Sequence, residues 1–225
     1  MTSNPLKSRR QVLELAAASG LSLAGVGFLL AGSGSHAHAQ ASGNVSMTEL
    51  LADNALADVW LGSKDAPVTI IEYASMTCPH CAHFHAESMP ALKSKYIDTG
   101  KVRFTLREFP FDPLATAAFM LARCSNDKRD AMIDLLFAQQ KNWAFSDKPL
   151  QGLVNLAKQT GMSQQTFDAC LKDQKLYDDV NQVRDRGGQK FGVDSTPTFF
   201  INGKKVSGAL SPDELDKQIE PLLKS

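Results

Sequence analysis

The chain has 225 residues, 43% of them apolar, and its 24 basic residues balance 24 acidic ones. That length and apolar content allow one large or two small domains with a buried core, and nothing in the neutral balance argues for a nucleic-acid partner. Four cysteines in so long a chain do not make a disulfide-stapled miniprotein; they fit an exported protein with one reactive and one structural disulfide.

Residues 1–41 carry the features of an export signal. Lys7, Arg9 and Arg10 form a basic start, Leu15 to Leu30 is an uncharged run rich in Ala, Gly and Leu, and Ala37-His38-Ala39 and Ala39-Gln40-Ala41 are small-x-small cleavage sites. The expectation is a signal peptide over 1–39, cleaved after Ala39 or Ala41, that delivers the chain to the periplasm. Ser8-Arg9-Arg10-Gln11-Val12-Leu13 resembles a twin-arginine signal, although Glu14 stands where Lys is common. A Sec signal with a chance arginine pair is one alternative, and an uncleaved anchor is the other, weakened by glycines at 20, 25 and 27 and a marginal length. Without 1–39 the charges stand at 21 basic against 23 acidic, because three bases and one acid leave.

Residues 40–66 are polar, with a helix-like piece from Met47 to Leu56 and an apolar run around Val59 to Leu61, and are expected to lie as an N-terminal arm on the main fold. Asp65-Ala66-Pro67 then opens the strand Val68-Thr69-Ile70-Ile71-Glu72-Tyr73-Ala74, whose continuous apolar character suits a central strand covered on both faces. Glu72 interrupts that run. Six residues before the first cysteine, its carboxyl group is expected to be buried and to exchange protons with a neighbouring thiol; a strand-edge glutamate facing water is the alternative.

Cys78-Pro79-His80-Cys81 follows, set before a stretch with helical spacing. Two cysteines at i and i+3 lie about one turn apart and can form a reducible disulfide across the first turn of a helix. Pro79 is tolerated there because the first helical position has no amide bond to lose. The unpaired amides and the dipole at a helix start favour negative charge, so Cys78 at the N-cap is predicted to be a thiolate at neutral pH, with a pKa of roughly 3.5 to 7.5. Cys81, deeper in the helix, is the resolving partner and would exchange its proton with Glu72. His80 is expected to donate a hydrogen bond to the Cys78 sulfur, or to pair with it when protonated, which stabilises the reduced form and makes the disulfide a stronger oxidant.

The helix continues through Ala82, Phe84, Met89 and Leu92, with a kink at Pro90. His83 and His85 invite a metal reading with the two cysteines, but a zinc site after a C-x2-C pair waits for a second knuckle downstream and none comes. Gly100 ends the helix, Lys101 to Phe109 alternates as a strand, and Asp112-Pro113 caps and starts a helix running to about Cys124. Periodic apolar residues recur over Met132–Phe137, Leu150–Leu156 and Phe167–Leu171, the last after the cap Ser163, and a longer polar helix is expected from about Asp173 to Gly187. With no strand pattern over 113–190, this block is expected to be a helical insert. Cys124 and Cys170 both fall in it. If joined they close a loop of about 46 residues, worth roughly 4 kcal/mol in the chain-entropy treatment; two buried free thiols are the alternative.

Thr196-Pro197-Thr198-Phe199-Phe200-Ile201 resumes the sheet. A proline opening a run of β formers cannot donate to the ladder. A cis Thr196-Pro197 bond would explain it by turning the backbone toward the cysteines and leaving main-chain groups of Thr196 to pair with an extended substrate; a trans proline merely opening the strand is the alternative. Asn202-Gly203 is a two-residue hairpin signal leading into Lys204-Lys205-Val206. Ser211-Pro212-Asp213-Glu214 is a capping box for a last helix running to about Leu223.

Taken together, the order of strand, Cys78-Pro79-His80-Cys81 helix, strand, helical insert, Thr196-Pro197, hairpin and terminal helix resembles the thioredoxin superfamily, and within it the DsbA family of periplasmic thiol:disulfide oxidoreductases, from about residue 56 to the C-terminus. The resemblance implies an α/β thioredoxin-like fold built from 67–112 and 191–225, with an all-helical subdomain inserted over 113–190. It implies Cys78 as the attacking and attacked cysteine, Cys81 as the resolving one, His80 as thiolate stabiliser, Glu72 as the buried acid and Pro197 as the cis-proline, supported by Pro79 and Thr196. Clients would be exported proteins with free thiols, re-oxidation would come from a quinone-linked membrane partner of the DsbB type, and no cofactor or metal is implied. Enterobacterial members have Val before the cis-proline and two Phe before the first cysteine, where this chain has Thr196 and Met76-Thr77. Thr is also found there in isomerase-type and reductase-type relatives, so reductase or isomerase activity is the alternative. A stapled, non-enzymatic binding module or a metal-handling one stands further off.

Overall fold

The computed structural model describes residues 44–224. The expected signal peptide over 1–39 lies outside the described residues.

Chain order places α1 at Met47–Leu50, β1 at Val68–Ala74, α2 at Pro79–Glu87, α3 at Met89–Leu92 and β2 at Val102–Glu108. Six helices come next: α4 at Pro113–Cys124, α5 at Arg129–Ala138, α6 at Gln140–Trp143, α7 at Pro149–Gln159, α8 at Gln164–Leu171 and α9 at Gln174–Phe191. The strands β3 at Thr198–Ile201 and β4 at Lys204–Ser207 and the helix α10 at Pro212–Ile219 close the fold. The sheet runs in the order β2-β1-β3-β4. β1 pairs in parallel with β2 and antiparallel with β3, so Glu72 stands between Leu106 and Phe199.

β1 is central because every one of its residues is buried, and a strand covered on both faces has no polar alternation to keep. On one face Val68, Ile70 and Ala74 pack with Phe84 of α2, Leu92 of α3, and Leu215 and Ile219 of α10. On the other, Ile71, Tyr73 and Phe200 pack with Val183 and Phe191 of α9. So α9, expected within the 113–190 insert, is a layer of the α/β body, while α4 to α8 form the added helical layer. This is a thioredoxin-like fold carrying extra helices.

Four helix starts follow their cap signals. Asp112 accepts from the Ala115 amide, Ser163 from Thr166, Asp173 from Leu176, and Ser211 from Glu214 in a reciprocal capping box. The helix after the cysteines breaks at Ser88, and a wide turn over Lys93–Ile97 follows Pro90, as a missing amide predicts.

Two expectations need correction. The helix-like piece from Met47 to Leu56 stops at Leu50. Arg186 takes the carbonyls of Glu49, Ala52 and Asp53, and Arg107 takes that of Leu50, so these acceptors serve guanidinium groups instead of a helix. The long polar helix does not end at Gly187; α9 continues to Phe191 and ends at Gly192, with φ 63°. Gly187 instead marks a close approach, since a Cβ there would stand 2.7 Å from Tyr73 Cε1.

Candidate active site

Cys78 is the N-cap of α2, extended at φ −80° and ψ 118°, and Pro79 fills the first turn. Cys78 and Cys81 are free thiols, the first half-buried and the second fully buried. The Cys78 sulfur lies 3.3 Å from the Thr196 carbonyl, and the Thr196–Pro197 peptide bond is cis. The Thr196 hydroxyl is buried with no partner, so its O–H can turn to a thiolate at position 78.

These surroundings divide the two thiols. Chiefly through the hydrogen bond that Cys81 donates, against burial, and with help from Thr196 and the amides of Cys81 and His80, the Cys78 thiol is pushed down to about 5. The Cys81 thiol is pushed up, first by burial, then by its hydrogen bond to Cys78 and the negative charges of Glu72 and Cys78. One neighbour favours the anion and the other suppresses it.

His80 stands otherwise than expected. Its imidazole is exposed and hydrogen-bonds no described residue, and the group that reaches the Cys78 sulfur is its backbone amide. The amides at the start of a helix converge on the N-cap whatever side chains they carry. Glu72 is fully buried beneath the cysteines, in the place its position in β1 suggested.

Three further residues shape the site. His85 turns inward, placing Nε2 2.9 Å from Glu72 Oε2, while His83 is exposed. Gln140, at the start of α6, donates from Nε2 to the carbonyls of Met76 at 2.8 Å and Cys78 at 3.0 Å. Asp112 accepts from the Thr77 hydroxyl at 2.6 Å while capping α4. The added helices therefore grip the loop before Cys78 from two sides. The i, i+7 spacing from Cys78 to His85 offered a signal for the histidine; nothing local to Gln140 distinguishes it from a surface glutamine. Away from this site, Cys124 and Cys170 are joined between α4 and α8.

This arrangement has relatives. The sequence model of the thioredoxin family matches residues 54–221. A Rickettsia bellii protein, named only provisionally as a protein-disulfide oxidoreductase, is 37% identical over 148 residues, covering 65% of this chain and 57% of its own length. Disulfide bond formation protein D of Bacillus subtilis is 29% identical over 171 residues, 73% of this chain and 76% of that protein. The crystal structure of Wolbachia pipientis alpha-DsbA1 superposes with a TM-score of 0.73 at 30% identity, covering 79% of this chain and 96% of that one. BdbD from Bacillus subtilis, in its oxidised form, gives 0.65 at 27% identity, covering 75% and 94%. The chain spans 57 to 64% of the length of the Rickettsia relatives it matches.

Proposed function

We propose that this chain, which belongs to the DsbA family of thiol:disulfide oxidoreductases in the thioredoxin superfamily, introduces disulfide bonds into exported proteins by exchange at Cys78 and Cys81. The observation that carries the proposal is the division of the two thiols, with Cys78 pushed down to about 5 and Cys81 pushed up. A stabilised thiolate is a good leaving group, and a disulfide whose reduced form is stabilised is a strong oxidant.

In the oxidised enzyme Cys78 and Cys81 are joined. A substrate thiolate attacks the Cys78 sulfur, the Cys78–Cys81 bond breaks with its electron pair on Cys81, and a mixed disulfide forms. A second substrate thiolate then attacks the substrate sulfur and expels Cys78 as thiolate. The substrate gains one disulfide, and the enzyme gains two electrons and a proton on Cys81. Thr196, whose carbonyl faces the Cys78 sulfur beside cis-Pro197, is placed to pair its backbone with an extended substrate. Sulfur carries both electrons, so the exchange uses no cofactor or metal. The basic and apolar features of residues 1–39 support export to the periplasm, and re-oxidation falls to a DsbB-type membrane partner.

Changing Cys78 to Ser is expected to abolish thiol exchange with a reduced, unfolded substrate while the protein still folds, as its circular dichroism would show. Full activity in that variant would remove Cys78 from the mechanism. The reduction potential tests direction: a value near about −120 mV, as in DsbA, supports the oxidant, and one near about −270 mV, as in thioredoxin, makes the protein a reductase.

A further inference from the structure

Each reduction of the Cys78–Cys81 disulfide leaves a thiolate on a sulfur that is fully buried and held toward its neutral form. A proton has to reach Cys81 from water on every turnover. Glu72 is close enough for its charge to oppose ionisation of Cys81, but Glu72 is itself fully buried. Its Oε2 meets His85, and its Oε1 has no partner.

Among the described residues, His85 both hydrogen-bonds Glu72 and lines a cavity. Its ring stacks on Phe137 of α5, with centroids 4.3 Å apart at 27°, and forms part of the wall of a cavity of about 340 Å³. Ala82, Met89, Lys93, Asp134 and Phe137 also line that cavity, and Glu72 does not. The far nitrogen, Nδ1, is buried with no hydrogen-bond partner. A histidine that only held Glu72 in place would gain by satisfying both nitrogens; one nitrogen on a buried acid and the other uncommitted is the arrangement a proton carrier needs. The charged groups around it are Glu72 from β1, Asp134 from α5 with Asp130 beyond it, and Lys93 from the turn after α3. Burial pushes the Asp134 carboxyl up, so the cavity wall offers a second group able to hold a proton.

We infer that His85 carries protons between Glu72 and this cavity, and so supplies the proton that Cys81 takes up when the disulfide is reduced. The inference rests on the thiol-exchange reading above. When the Cys78–Cys81 bond breaks, Cys81 takes a proton from the Glu72 carboxyl, Glu72 takes one from His85 Nε2, and Nδ1 takes one from water in the cavity. One proton moves from solvent to sulfur, and the steps run backwards on re-oxidation.

The test is the rate at which oxidised protein is reduced by excess dithiothreitol, followed by acid quench and thiol alkylation. His85→Gln keeps a donor toward Glu72 but cannot relay a proton, and it is expected to slow reduction by about a hundredfold or more. In His85→Ala, added imidazole should enter the cavity and restore the rate. On the unaltered protein, reduction should be slower in D2O than in H2O. A wild-type rate in His85→Gln overturns the inference, as does a rate in His85→Ala that ignores imidazole. The absence of any solvent isotope effect overturns it even if neither variant folds. Failure of the broader reading would look different, because unaltered protein would then exchange thiols no faster than Cys78→Ser.

Discussion

The molecule carries two cysteine pairs with opposite fates. Cys78 and Cys81 are three residues apart at the start of one helix, where amides, a thiol donor and a buried acid separate their proton affinities. Cys124 and Cys170 are 46 residues apart, bonded across α4 and α8. The first pair gains nothing from loop closure, since a loop so short removes little freedom from the unfolded chain; its bond is governed by the charge its sulfurs prefer. The second has no helix-start amides aimed at it and stabilises the fold through the long loop it closes. Reactivity therefore follows from the dipoles around a sulfur, and stability from the length of chain between two sulfurs.

The sharpest way to break that contrast is to remove the second pair. A Cys124→Ala, Cys170→Ala double variant is expected to lose roughly 4 kcal/mol of stability in urea unfolding, by the loop-closure argument, while exchange at Cys78 persists in the folded protein. Loss of exchange with stability intact would invert the roles assigned here.

Much of this contrast is legible in the sequence because it rests on local rules. An N-cap cysteine before proline, the reciprocal cap at Ser211 and Glu214, the Asp112 cap and the unbroken apolar run of β1 are each written within a few residues, and each forms as its pattern requires. The illegible parts depend on what arrives from far along the chain. α1 is cut short by arginines 107 and 186, and Gly187 lies inside α9, where Tyr73 of β1 leaves no room for a side chain, instead of ending it. His80 drew attention by its place in the tetrapeptide, whereas His85 is the imidazole that faces inward, a matter of helix phase against β1. Gln140 reaches the active-site loop across 62 residues, and no local pattern encodes that.

Gln140 offers a sharper test of how the added helices serve the reactive pair. Gln140→Leu keeps volume but strips the donor from two carbonyls, those of Met76 and Cys78. A buried acceptor left unpaired costs about 1–3 kcal/mol, so urea unfolding should register a loss in that range, smaller than that from the disulfide. The Cys78 cap should also loosen, moving the thiolate midpoint upward in an ultraviolet titration. Unchanged stability and an unchanged midpoint would mean that the insert covers the site without holding it.

The reactive pair should also make stability depend on pH in a way that no other pair of groups in the protein can. The Cys78 thiol ionises at about 5 in the folded reduced protein, against about 8.5 for a cysteine in an unfolded chain. Its folded value is depressed, so the stabilisation is complete above about 8.5 and is lost as pH falls toward 5. Cys81, pushed up by burial, keeps its proton in the folded state but begins to lose it in the unfolded chain near pH 8.5, so it opposes the Cys78 slope only at the top of that window. The oxidised protein has no thiol at either position, so subtracting its unfolding free energy at each pH cancels every group whose surroundings the two forms share. The advantage of the reduced form should shrink as pH falls from about 8 to about 5, and the Cys124–Cys170 bond, present in both forms, should contribute nothing to the difference. A flat difference across that range would place the Cys78 thiol among ordinary cysteines and remove the electrostatic distinction between the two pairs.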